Sequence, residues 1–254
     1  MKKRYKILIG FVITGIFLVL IFFITKDKKI YYLSLGDSLA VGQTPNNEVD
    51  KSYGDYIKEY LEDKEVLEFY TKSFSNSNYR SIDLLEDIKN NKKKKISGKE
   101  ITIKNALIKA DIVTISIGLN DLLYKLNLAS TFDMNINDDI YTYVDEVMMD
   151  IDKLLYEIRK SCKEQIMVFG YYNPFTNHSA SLSNEVEPLI TYANGKLESL
   201  VLKYEMTYVD IHGAFLANDD YLPSKLEIHP TKNGYKRMAD IAINLIDKKT
   251  LAKW

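Results

Sequence analysis

Three polar residues far apart in the chain have types suited to acyl transfer: Ser38 in Gly36-Asp37-Ser38-Leu39, Asn120 in Gly118-Leu119-Asn120-Asp121, and His229 in His229-Pro230. A serine hydroxyl is a weak nucleophile and needs a base; a neutral imidazole can take its proton and later return it to the leaving group. An asparagine side-chain amide can donate to an oxyanion. Singly, each residue also has a plain structural use as a helix cap, a turn or a loop residue. Their chemistry depends on a fold that brings them together.

The elements that must do this are legible as alternation. Short β-rich apolar runs at 30–35, 66–70, 112–117, 166–169 and 206–211 are separated by segments of helical period at 53–61, 81–89, 138–161, 184–203 and 233–246. Five strands with intervening helices predict a parallel sheet covered on both faces, with a site outside the carboxyl ends of its strands. Ser38 and Asn120 follow the first and third runs, and His229 precedes the last helix.

Ahead of this domain lies a different kind of segment. Residues 7–24 carry no charge and one polar side chain, Thr14, after Lys2-Lys3-Arg4. That is long enough to cross a bilayer and longer than a secretory signal core, and no small-residue cleavage site follows it. No cysteine follows it to carry a lipid. The expectation is an uncleaved anchor at 1–29 and one domain at 30–254, held outside a bacterial cell membrane by a single pass.

Composition narrows the partners. The whole chain has 34 Lys+Arg against 35 Asp+Glu, but residues 1–29 hold seven bases and one acid, leaving the domain 27 bases against 34 acids. An acidic domain lacks the electrostatic footprint for nucleic acid, and Lys92 to Lys95 read as a solvated loop. Cys162 is the only cysteine, so an internal disulfide is excluded and the thiol is expected to be packed. His212 and His178 have no zinc-ligand spacing, so no metal or other cofactor is expected.

The three blocks together resemble the SGNH/GDSL family of serine esterases and lipases, with Gly234-Tyr235 adding to the histidine block, and the similarity runs from Ile30 to Ile246. The resemblance implies a flavodoxin-like three-layer α/β/α sandwich with a five-stranded parallel sheet. It implies Ser38 as nucleophile, His229 as base, and an oxyanion hole from the Ser38 amide and Asn120. Two positions depart from the family pattern. Residues 73–80 contain no glycine where a third oxyanion donor is expected, and Asn78 aligns best, since asparagine tolerates left-handed backbone. Three before the histidine stands Leu226 instead of an acid; Glu227, two before it, could reach the same ring nitrogen, with Asp219, Asp220 or a Ser-His dyad as alternatives.

Binding residues are expected at Asp37, Gly118, Tyr172 and Asn173, all at the same sheet edge. Residues 122–136 suggest an acyl pocket with Leu123, Tyr124, Leu128 and Phe132 partly exposed. These readings converge on an anchored ester hydrolase acting through an acyl-enzyme on lysophospholipids or other acyl esters. A carbohydrate O-acetylesterase acting on cell-surface glycan and a catalytically weak binding module are the alternatives.

Overall fold

The computed structural model describes residues 29–125, 139–177, 180–224 and 227–246. The main sheet has five strands: β1 (Ile30–Gly36), β2 (Leu67–Thr71), β5 (Ile112–Ser116), β6 (Gln165–Phe169) and β7 (Thr207–Val209). All are parallel, in the order β2-β1-β5-β6-β7. The chain runs from β1 out to β2 and returns to β5 on the other side of β1, so the direction of winding reverses between β1 and β5. Open parallel sheets bind ligands at such a point.

Helices cover both faces because the strands are apolar on both. Leu33, Leu35, Val113, Ile115, Ile166 and Val168 face one way, against α3 (Ser81–Lys89), α4 (Ile103–Lys109), α6 (Asp139–Ser161) and α7 (Ala180–Lys203). Ile30, Tyr32, Ile112, Met167, Phe169 and Val209 face the other way, against α2 (Tyr53–Asp63), α8 (His212–Leu216) and α9 (Lys232–Leu245). Successive side chains of a strand point to opposite faces, so these continuous apolar runs serve two cores at once. Cys162 is buried in the first core, as expected, with its thiol 3.6 Å from the Ala110 carbonyl.

The lysine run is not a loop. Lys93–Ile96 form β3, which pairs antiparallel with β4 (Lys99–Thr102) through a two-residue turn, Ser97-Gly98, with φ of 48° and 81°. Positive φ at both central residues matches the twist of a tight hairpin. Only Ile96 of β3 is buried, so the lysines keep the hydration that made the segment read as irregular. Four short helices also escape the periodic pattern: α1 (Ser38–Val41), α4, α5 (Leu119–Lys125) and α8.

Among the described residues no helix is long and apolar enough to cross a membrane. The anchor expected at 1–29 falls, apart from Lys29, outside the described residues, as do His178, Leu226, Leu128 and Phe132.

Candidate active site

The turn after β1 presents Ser38. Gly36 has φ of 136°, and a Cβ there would stand 1.9 Å from the Ser116 carbonyl oxygen, so only glycine lets β1 run this close to β5. That carbonyl accepts the Asp37 N–H at 3.0 Å. Asp37 caps α1, accepting the Leu39 N–H at 3.1 Å and the Ser116 hydroxyl at 3.2 Å; Tyr53 in turn donates its hydroxyl to Ser116 at 3.1 Å. Ser38 is therefore the first helical residue on a turn tied to the neighbouring strand and to α2. Burial pushes the Asp37 carboxyl up to about 7, against the opposing pull of the Leu39 N–H.

The second block folds onto the loop 73–80. Gly118 has φ of 117°, and a Cβ there would meet the Tyr171 hydroxyl at 2.2 Å; that hydroxyl donates to the Ile117 carbonyl at 3.0 Å. Asn120 Nδ2 donates to the carbonyls of Ser77 and Tyr79, each at 3.0 Å, and so spans Asn78. The Asn78 N–H donates to Asn76 Oδ1 at 3.1 Å. Asn78 does not take the left-handed conformation considered for it; an Asx turn from Asn76 bends the loop instead.

Asp121, read from sequence only as part of a turn, is buried and accepts both the N–H (2.9 Å) and the hydroxyl (2.5 Å) of Ser81 at the start of α3. Burial raises its pKa while the Ser81 bonds oppose the rise. A carboxylate that reaches across to cap a distant helix leaves no periodic trace in the sequence.

His229 is buried, with Nδ1 2.7 Å from Glu227 Oε1. The same oxygen accepts the backbone N–H groups of Ile228 (2.7 Å) and His229 (3.1 Å). Burial lowers the His229 pKa, opposed by the charge and hydrogen bond of Glu227. Asp219 and Asp220 lie exposed in a single 3₁₀ turn. The Tyr172 hydroxyl donates to the Ile228 carbonyl at 2.5 Å, and its ring stacks on Phe215 with centroids 4.5 Å apart. This strut fixes the segment that carries the imidazole.

Asn173 is fully buried, and its amide is spent on Ser183 (2.9 Å to the carbonyl) and Glu187 (2.9 Å) at the start of α7. It braces the wall of the site rather than its surface. His212 Nε2 lies 2.7 Å from Glu187 Oε1 without the alignment of a hydrogen bond. Among the described residues no group of three or more His, Cys, Asp or Glu is arranged to hold a metal ion.

These segments meet at one apolar cavity of about 90 Å³, with Asp37, Leu39, Gly118, Tyr172 and Ile228 in its lining. Leu122 and Leu123 line it as well, whereas Tyr124 is exposed and carries the Arg80 guanidinium 4.3 Å above its ring. The remaining walls include Val144, Val147 and Met148 of α6 and Val186, Leu189 and Ala193 of α7. Their helical spacing was visible in the sequence, but the partner of each stripe was not.

Several known proteins share this chain's features. The Bacillus subtilis strain 168 protein YpmR, described as uncharacterised, is 27% identical over 236 residues, covering 90% of this chain and 86% of its own. Among solved structures, the lipase Lip_vut3 from a goat rumen metagenome superposes with a TM-score of 0.66 at 22% identity, over 85% of this chain and 97% of its own. Axe2, an acetylxylan esterase from Geobacillus stearothermophilus, gives 0.60 at 17% identity, over 87% and 95%. At those identities the two structures speak for the fold alone. The profile of the GDSL-like Lipase/Acylhydrolase family matches residues 34–237, a span that takes in all three blocks, and the chain belongs to that family.

Proposed function

We propose that the protein is a serine hydrolase of carboxylic esters, with Ser38 as nucleophile, His229 as general base and Glu227 as the acid that orients it. The observation that carries this reading is the Glu227–His229 pair at 2.7 Å, set beside the same cavity as the Ser38 turn. With Nδ1–H directed to Glu227, the other ring nitrogen is left as the acceptor for the serine proton. Ser38 Oγ bonds to the acyl carbon, the proton passes through His229 to the departing alcohol as the ester C–O bond breaks, and water then releases the acid by the reverse route.

The negative oxygen of each tetrahedral intermediate falls to the Ser38 N–H, Asn120 Nδ2 and the Asn78 N–H. Asn120 and Asn78 are now bonded to neutral oxygens at 3.0–3.1 Å. An oxyanion is the stronger acceptor and displaces such partners. No cofactor enters this chemistry.

The domain acts outside the cell membrane, tethered by residues 1–29; the uncharged run 7–24 supports this. Protease added to intact cells is expected to release the domain, and full protection would place it inside. For the reaction, full-length protein is expected to hydrolyse p-nitrophenyl esters and to be labelled by a fluorophosphonate, and Ser38→Ala to lose both. A wild type that does neither would leave a binding module.

A further inference from the structure

We infer that the lysine-rich hairpin β3–β4, together with α4, seats the domain on the anionic lipid headgroups of the membrane beside it. The inference rests on the tether proposed for residues 1–29 and adds a second, electrostatic contact to it. Of the domain's 27 bases and 34 acids, residues 92–109 carry seven lysines and a single acid, Glu100, which leaves 20 bases against 33 acids elsewhere. So steep a separation gives one surface of a negative domain the opposite sign.

The fold spends only part of this charge internally. Lys92 pairs with Asp87 at 2.8 Å and Lys93 with Glu100 at 2.9 Å, and Lys104 donates to the Lys89 carbonyl at 3.2 Å. Lys94, Lys95, Lys99 and Lys109 are exposed, and among the described residues none of them is paired with a carboxylate. Ile108 is exposed as well, one turn from Lys104 and next to Lys109 on the outer side of α4. A bare apolar side chain among cations suits the boundary layer of a bilayer better than a soluble polyanion.

The position of this surface selects the partner. Lys99, Ile101 and Lys109 form one wall of a cleft whose other wall holds Tyr31 and Phe69, and the Tyr31 N–H donates to Asp111, just past α4, at 2.9 Å. The hairpin therefore stands where the chain enters β1. Residues 25–29 separate Ile30 from the apolar run 7–24 and can span at most about 18 Å. A bilayer holding that run lies close to the hairpin, and Lys26, Lys28 and Lys29 add to the same positive field. Anionic lipid attracts a lysine only within about a Debye length, so the tether brings this surface to the distance at which the attraction acts.

The test reconstitutes full-length protein with vesicles of phosphatidylcholine, alone or with added phosphatidylglycerol, and reads lysine acetylation residue by residue by mass spectrometry. Lys94, Lys95 and Lys99 should react about fivefold more slowly on the anionic vesicles and lose that protection in about 1 M salt. The exposed Lys196 and Lys236, on α7 and α9, should react alike on both. Combining Lys93→Gln, Lys94→Gln and Lys95→Gln should abolish the protection of Lys99, while Arg at the same three positions keeps it. Flotation with phosphatidylcholine vesicles through alkaline carbonate reads the tether separately. Equal reactivity on the two vesicles overturns the docking, whether or not the protein floats. Protection on anionic vesicles without carbonate-resistant flotation upholds the docking and sinks the tether. Protection by soluble poly(glycerol phosphate) but not by anionic vesicles overturns the lipid surface in favour of an anionic polymer.

Discussion

Glu227 holds His229 from only two residues away because its carboxylate folds back over its own backbone, where Oε1 takes the N–H groups of Ile228 and His229 together with ring Nδ1 at 2.7 Å. The extra methylene of glutamate supplies the reach that an acid three residues away would obtain from the backbone. The carboxylate is thus oriented before substrate arrives.

Glu227→Gln keeps the side-chain shape and removes its charge. On the proposed triad it lowers kcat by about 10²–10⁴-fold, approaching the loss in Ser38→Ala. Glu227 raises the His229 pKa against the lowering effect of burial, so its neutralisation drops that pKa further. The acid limb of the pH–rate profile then moves to lower pH. An unmoved limb with a small loss would assign the acid elsewhere.

Asp37 supplies a test through stability. Its folded pKa of about 7 lies above the ordinary 3.8, so the folded state binds a proton that the unfolded state has released between those values. Stability therefore falls as pH rises from about 4 to 7, by about 4 kcal/mol if the whole shift is realised. Asp37→Asn retains an oxygen for the Leu39 N–H and Ser116 hydroxyl and escapes this loss. Urea melts should find the variant more stable than wild type at pH 8, with the difference shrinking by pH 5; a constant difference would deny the titration.

Asn120→Ala removes the donor that spans Asn78 and bonds the carbonyls of Ser77 and Tyr79. Turnover should drop about 10²–10³-fold, the scale of a lost oxyanion donor. Circular dichroism should stay native, with a cost of about 1–3 kcal/mol from the unpaired carbonyls. Unchanged turnover would leave Asn120 as a brace alone.

Tyr172→Phe deletes the hydroxyl that holds the Ile228 carbonyl but keeps the ring against Phe215. The expected result is about a tenfold lower kcat with a stability change near 1 kcal/mol, because the imidazole segment loosens while the core stays packed. Equal kcat in both proteins would show that the segment is held by other contacts.

What could be read in the sequence follows from burial. Strands covered on both faces, such as Ile112–Ser116, leave unbroken β-branched runs, and α3 coincides with its expected span of 81–89. The hairpin Lys93–Ile96 and Lys99–Thr102 was missed because its exposed strands carry no apolar alternation, only the Ser97-Gly98 turn. Ser38, Asn120 and His229 were legible as residue types beside strand and helix ends. The bracing of Asn173 against Ser183 and Glu187, and of Asp121 against Ser81, joins positions whose relation exists only once the chain has folded.

The order of elements along the chain also bears on how the protein is made. Ser38 follows directly on the first strand, while Glu227 and His229 arrive just before the final helix. On the proposed triad, a chain still emerging from the ribosome, or cut short by a premature stop, carries the nucleophile without the base that would activate it. On that assignment hydrolytic competence appears last in biosynthesis, and truncated products are inert by construction.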